Sequence, residues 1–397
     1  MNSGSTIFAQ LIRLLPQREF RRCVEKYGGA KKGQQFSSWD QFLCMVFAQL
    51  TYRESLRDIE ACLRAVGVKL YHLGIRGHVS RTNLARANAT TDWRIFADFG
   101  QVVIRKAQEV ARNEAFTVEL ANAVYALDST VLETCLTLFP WTYFTERESR
   151  GGVKVHTLLD LKRNIPSFID ITRRKVGDVE ILDKLSIEPE AFYIMDRAYI
   201  DWKRLYRFTK NNAFFVTRAK KSTALRRVRS QAVDIATGVR SDQIVRLATK
   251  NFSRRRHYPT RLRRIVFLDV EHKRRLVFVT NNFSLPAHII ADLYKSRWFI
   301  ELFFKWLKQH LRIEKFYGNS PNAVKAQIWI AITTYTLVAI AKERWRLPHS
   351  LYTILQVLSI SLLEKKPILQ AFSAQDFKCN DDTPDNQLKL FERNVGQ

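Results

Sequence analysis

The stretch from Leu293 to Ile313, "LYKSRWFIELFFKWLKQHLRI", sets a carboxylate, Glu301, among Trp298, Phe299, Ile300, Leu302 and Phe303. A helix through it, at about 100° per residue, puts Arg297, Glu301, Lys305 and Lys308 within about 60° of Tyr294, so one narrow stripe carries the polar groups. A surface helix braced by an Arg–Glu pair four residues apart has the same pattern and gains only roughly 0.2–0.5 kcal/mol from it. The residues elsewhere in the chain separate a braced surface helix from a functional one.

The chain has 397 residues, 46% of them hydrophobic, which suits two or three domains with substantial cores and excludes a wholly disordered protein. Lys plus Arg number 65 against 38 Asp plus Glu, a formal net charge of +27 and a pI near 10.1. Such a field draws polyanions, and nucleic acid is the first partner it implies. The sequence shows no lipidation motif, and its apolar run "IWIAITTYTLVAIA" is too short for the roughly 20 apolar residues of a membrane span. The start, "MNSGSTIFAQ", lacks the positive and apolar regions of a signal peptide. Cysteines at 23, 44, 62, 135 and 379 show no paired metal-ligand spacing. These features predict a reduced cytoplasmic protein without structural zinc and without a membrane partner.

Apolar residues at threes and fours predict an all-α N-terminal region over 1–112. Within it, "GIRGHVSRTNLARANA" places Ser80 to cap a short helix that presents Arg81, Asn83 and Arg86. This suits a helix-turn-helix reader, and equally a capped helix with a solvated basic face. From 116 to 219, short apolar runs bounded by turns predict strands and helices in the order β-β-β-α-β-α-β, hence a mixed sheet with helices packed on it. Residues 220–285 read as a basic β-rich insertion that includes Arg254, Arg255, Arg256 and the arginines of 261–264. Residues 286–345 carry the opening helix and a second, buried one. Residues 346–397 read as a C-terminal helix and a polar tail.

Asp128, in "YALDST", and Asp196, in "FYIMDRAY", each end an apolar run that reads as a strand. A lone aspartate at a strand tip is usually a turn former. With β1 and β4 adjacent, however, both would stand at one edge of the sheet, where a helix across it could bring Glu301 alongside. Three converging carboxylates repel one another unless cations fill the gap, and oxygen-only ligands favour Mg²⁺ or Mn²⁺. His156, in "VKVHTLL", alternates to one face of the second strand, as a satisfied structural histidine or as a group near the metals.

Together these residues resemble a known family. "YKSRWFIELFFKWLK" fits the Tyr-Arg-Glu-Lys signature of DDE transposases from bacterial insertion sequences of the insertion-sequence-four type, and "ALDST" and "MDRAY" resemble the surroundings of that family's two aspartates. The resemblance covers about 118–340. It implies an RNase H-like mixed-sheet catalytic core interrupted by the β-rich insertion, with the all-α domain in front. Asp128, Asp196 and Glu301 would then hold two Mg²⁺ ions, for which Mn²⁺ can substitute, in phosphoryl transfer at transposon ends. Tyr294, Arg297, Lys305 and Lys308 would flank or grip phosphates, and Trp298 would stack on a base flipped from the duplex. Arg254–Arg256 would clamp DNA backbone. The implied partners are double-stranded DNA, as transposon ends and target, and a second copy of the chain in the DNA complex, on the nucleoid. Two rivals stand beside this: a nuclease of the same fold without strand transfer, and a catalytically silent DNA-binding relic or repressor.

Overall fold

Helices α1 (Ile7–Ile12), α2 (Gln17–Lys26), α3 (Ser38–Leu50), α4 (Leu56–Val66), α5 (Arg81–Thr90) and α6 (Trp93–Val110) follow the apolar threes and fours of the N-terminal region. The computed structural model describes residues 4–29, 35–111, 118, 120–135, 138–142, 150–220, 222–248, 257–270, 272–309 and 316–373. Arg254–Arg256 and the polar tail lie outside them. Local chemistry sets the helix starts. Ser37 and Asp40 close a reciprocal capping box on α3, and the Asn83 backbone N–H donates to the Ser80 hydroxyl at 3.1 Å on α5.

Nine strands form one mixed sheet: β1 (Val124–Cys135), β2 (Arg150–Asp160), β3 (Ile165–Arg173), β4 (Phe192–Met195), β5 (Phe214–Arg218), β6 (Leu225–Gln231), β7 (Val239–Leu247), β8 (Leu262–Asp269) and β9 (Arg274–Thr280). The order across it is β3-β2-β1-β4-β5-β9-β8-β7-β6, with β1, β4 and β5 mutually parallel and the other neighbours antiparallel. The strands of the β-rich insertion extend the same sheet, because β9 returns to pair with β5. The segment "DVEILDKL", expected as an α-helix, is a 3₁₀ helix over Asp178–Lys184, and α7 (Trp202–Lys210) lies between β4 and β5.

The opening stretch corrects a second expectation. It is not one continuous helix but two, α8 (Ala287–Lys295) and α9 (Trp298–Gln309). At the junction the Ser296 hydroxyl donates to the Leu293 carbonyl at 2.6 Å, and the N–H groups of Arg297, Phe299 and Ile300 reach back three residues instead of four. The hydroxyl competes for the helical ladder and tightens the turn. Tyr294 and Glu301 thus sit on different helices.

The apolar run at 328–341 lies inside a longer helix, α10 (Pro321–Trp345), started by the Ser320 hydroxyl and by proline in the first turn. With a mean hydropathy of 1.4 over its most apolar window, α10 is long and apolar enough to cross a membrane, contrary to the expectation from the run alone. That window is 89% buried within the protein, so its apolar surface is core. Thr333, Thr334 and Thr336 enter it because each hydroxyl donates to a carbonyl four residues back, at 2.7–2.9 Å.

Helix α10 also decides how the chain is divided. It packs on α6, where a Cβ on Gly100 would lie 2.9 Å from the Trp329 ring, and on α3 and α5. The Asn322 side chain donates to Thr91 O at 2.7 Å and accepts from the Trp93 N–H at 3.0 Å. Beyond it run α11 (Leu351–Ser361) and α12 (Ile368–Ser373). The N–H groups of Ile7 and Phe8 donate to the carbonyls of Glu364 and Leu362 in the segment joining them. Phe8, Phe42 and Phe99 from the N-terminal helices, Ala126 and Ile194 from the sheet, and Ile300 and Trp329 belong to one core on one face of the sheet. A second core, with Leu127, Met195, Phe208 and Phe215, lies on the other. Each large apolar side chain buried this way contributes roughly 1.5–3 kcal/mol. The described helices α1–α6 share a core with α10.

Candidate active site

Asp128 and Asp196 are brought together by register. Leu127 stands beside Met195 in the parallel pair β1–β4, and each aspartate is the next residue. Asp196 lies just past the end of β4, as expected. Asp128 does not end its strand: β1 runs on to Cys135, paired with β2, because "STVLET" keeps alternating. The strand that stops is β4, and its stopping uncovers the Asp128 side chain. Strand alternation sends both aspartates to the face that α8 and α9 cover.

The α8–α9 junction then closes over them. Tyr294, at the end of α8, directs its hydroxyl at Asp196 Oδ1, 3.3 Å away. Arg297 donates from Nη1 to Asp128 Oδ2 at 2.6 Å and from Nη2 to Glu301 Oε1, so one guanidinium ties the first acid to the third. Its Nε is buried without a partner. Burial pushes the Asp128 carboxyl up to about 6, against the pull of Arg297 and of the Ser129 backbone N–H, with Glu301 and Asp196 adding to the rise. Burial also pushes the Tyr294 hydroxyl up to about 12.

The other expected site residues fall in different places. Trp298 opens α9 with 40% of its surface exposed, so it is not a core residue. Lys305 and Lys308 are half-buried further along α9. Arg81 and Arg86 are exposed on α5, but Asn83 is engaged, donating to His78 O at 2.9 Å and accepting from Arg86 at 3.1 Å. Residues 67–80, including a 3₁₀ helix over Gly67–Leu73, separate α4 from α5, so the tight turn expected of a helix-turn-helix is absent there. Arg263 is no clamp: it is buried in a bidentate pair with Asp242, at 2.7 and 3.0 Å. His156 pairs with Ser129 and so lies on the opposite face from Asp128. Fully buried, it shares a 2.9 Å hydrogen bond with Thr172, and burial holds it down to about 4, neutral at physiological pH. Its Nδ1 is buried without a hydrogen-bond partner, so the ring is structural in position but only half satisfied.

Several polar groups at the site carry no sequence signal. Thr157 stands opposite Asp128 on β2, and its buried hydroxyl has no partner. Behind the aspartate, the Ser129 hydroxyl donates to Asp178 at 2.7 Å, and Asp178 also receives Lys154 at 3.2 Å. Beside Asp196 a cleft of about 450 Å³ is lined by Arg197, Ala198, Lys220 and Ser222. Only pairing across strands could have revealed Thr157 opposite Asp128.

Among the described residues, no three His, Cys, Asp or Glu side chains stand close enough to grip one ion, and Arg297 bridges two of the acids. In kind, the donors fit a hard divalent cation: the site offers carboxylate oxygens and the orphan Thr157 hydroxyl.

Fold and site define a mixed α/β protein with an acidic centre where two parallel strands part. The chain belongs to the transposase DDE domain family, whose model matches residues 120–337. Residues 3–76 match a family described as a domain of unknown function (DUF4372). A protein of Sinorhizobium fredii named as a transposase is 36% identical over 55% of this chain, a match that spans 61% of that protein's length. Proteins named as insertion sequence element transposases are 24% identical over 85% of both chains in Geobacillus stearothermophilus, and 26% identical over 76% of this chain and 81% of that one in Synechocystis. A solved piggyBac transposase synaptic complex with hairpin DNA overlaps 98% of this chain and 83% of its own at a TM-score of 0.45 and 10% identity.

Proposed function

We propose that the protein is a DNA transposase that binds the ends of an insertion sequence, cleaves them and joins the 3′-hydroxyl ends to target DNA. The observation that carries this is the convergence of Asp128, Asp196 and Glu301 on one face of the sheet, with Tyr294 and Arg297 between them, inside the transposase DDE span. The strand order β3-β2-β1-β4-β5 supports an RNase H-like core, and the spacing of Tyr294, Arg297, Glu301 and Lys308 supports the insertion-sequence-four type.

Asp128, Asp196 and Glu301 would hold two Mg²⁺ ions, which when bound activate an attacking oxygen and stabilise a leaving one. The protein's own groups orient the DNA. Arg297 presents a planar fork that exchanges carboxylate oxygens for phosphate oxygens of the same geometry, and Tyr294 donates to the same region from a fixed helix end. Arg197 and Lys220 give the cleft beside Asp196 a cationic wall for the strand that leaves the site. Trp298, exposed next to Arg297, offers a face on which a base can stack. Joining two ends requires two active sites, hence a homodimer in the DNA complex.

Purified protein supplied with Mg²⁺ and DNA carrying the element's own ends should first nick to leave a 3′-hydroxyl and then produce joined target molecules. Hydrolysis without joined product assigns the protein to nucleases of the same fold. DNA binding without either product makes it a silent relic.

A further inference from the structure

We propose that the edge strand β6, with its partner β7, is a docking strip for the phosphate backbone of duplex DNA whose end lies at Asp128 and Asp196. This rests on the transposase reading above. Strand β6 closes one side of the sheet and reads "LRRVRSQ", with Arg226, Arg227 and Arg229 exposed. Arg226 stands directly opposite Arg246 of β7, which is also exposed. Like charges in directly opposed positions weaken a strand pair, and none of these four arginines has an ion-pair partner among the described residues. Arg204, by comparison, meets Asp183 at 2.8 Å and Arg274 meets Asp269 at 2.8 Å. The edge strip is left to an external anion.

Register places part of the strip on the catalytic side. Asp196 follows Met195, the neighbour of Thr217. Then Arg218 lies beside Phe278, Phe278 beside Ile265, and Ile265 beside Asp242. Alternation along β7 puts Ile244 and Arg246 on the face of Asp242, and their partners on β6 are Arg229 and Arg226. The irregularity between Arg227 and Arg229 brings Arg229 onto that face, and the sheet presents Arg226, Arg229 and Arg246 on the same side as the two aspartates. Five strand spacings separate β4 from β6, roughly 24 Å at about 4.8 Å each. That is about seven base pairs at roughly 3.4 Å apiece.

A charged edge also guards a sheet against pairing with another sheet. Guarding needs no particular face, whereas the three arginines lie on the face of the acids and at a distance that a duplex held at its end would reach. A second copy of the chain is a poor occupant, since it would bring the same positive edge.

The test uses the full chain and a duplex several helical turns long, with affinity measured across salt. Arg226→Gln, Arg229→Gln and Arg246→Gln together should lower the slope of log affinity against log salt by about 2–3, since each lost phosphate contact removes about 0.9. Affinity at fixed salt should fall tenfold or more, on the order expected for that loss of contacts. The corresponding Arg→Lys triple should keep most of the slope. If the glutamine triple does not fold, Arg226→Gln alone should lower the slope by about 1. An unchanged slope in a folded variant, with or without new self-association, overturns the strip and leaves edge guarding as its role. Failure of the unaltered chain to bind DNA overturns the transposase reading instead.

Discussion

Arg297 holds Asp128 at 2.6 Å although 169 positions separate them in the chain, and the same guanidinium holds Glu301. The acids are drawn together by a cation the protein supplies itself. Arg297→Ala should therefore act twice. It should destabilise the DNA-free protein by about 1–3 kcal/mol, because a half-buried carboxylate loses its charged donor. It should also weaken complexes with element ends, where a charge-assisted phosphate contact of about 1.5–3 kcal/mol is lost. Melting curves and end-complex affinity across salt check the two effects separately, and no change in either would remove Arg297 from the site. Arg297→Lys should rescue little, since a point charge cannot reach both carboxylates as the fork does.

Replacement of Asp128, Asp196 or Glu301 by Ala should abolish nicking and joining while DNA binding persists, because carboxylates add nothing to affinity for a polyanion. Near-normal cleavage by one of the three variants removes that residue from the catalytic set. Duplex binding and strand cleavage on one preparation distinguish loss of chemistry from loss of fold.

Gly100 sits where α6 packs tightly on α10. A Cβ there would lie 2.9 Å and 3.3 Å from Trp329 ring atoms and 3.1 Å from the Thr333 hydroxyl. Glycine costs a helix roughly 0.5–1 kcal/mol relative to alanine, yet here the crowding outweighs that gain. Gly100→Val should lose about 1–3 kcal/mol through overpacking. A denaturant midpoint equal to or above that of the unaltered protein would show that the two helices can part without cost.

The parts of this site that were legible in the sequence are those written in local pattern. Glu301 stood out as a carboxylate in an apolar run, and Asp128 and Asp196 as acids after apolar runs. What depended on pairing between distant segments did not show. The continuation of β1 past Asp128 arises because "STVLET" finds a partner in β2, and no local feature says that β4 stops first. Arg263 looked like one more charge in a basic run, because its partner Asp242 lies on the neighbouring strand β7. The helix break at Ser296 rests on one hydroxyl turning back to Leu293, a choice that serine makes in some helices and not in others.

His156 gives a pH prediction. Its folded-state pKa, held down to about 4 by burial, lies below the value of about 6.5 in an unfolded chain. The unfolded chain takes up the proton first as the solution is acidified. The stability the neutral imidazole confers is complete above pH 6.5 and is lost progressively towards pH 4, by at most about 3 kcal/mol. Thermal melts from pH 7 to pH 4 should show a shallower decline in His156→Gln than in the unaltered protein. Parallel declines would mean that other groups carry the acid sensitivity.

A fragment of residues 1–112 should not fold by itself, since α10 lies in the core of its helices. The expected result is a melt without a cooperative transition, whereas the full chain melts cooperatively. A sharp transition in the fragment would show that α1–α6 close a core of their own.

The position of α10 has a consequence for synthesis. Ile7 and Phe8 bond to carbonyls at 364 and 362, and α6 waits for Trp329, so α1 and α6 find these partners only after the whole sheet and helices α8 and α9 have been made. Translation at roughly 5–20 residues per second leaves those apolar faces uncovered for tens of seconds. A copy of the gene cut short by a frameshift before α10 would then yield not a free N-terminal DNA-binding piece but an unfinished core, a substrate for proteases rather than a competitor of the intact protein.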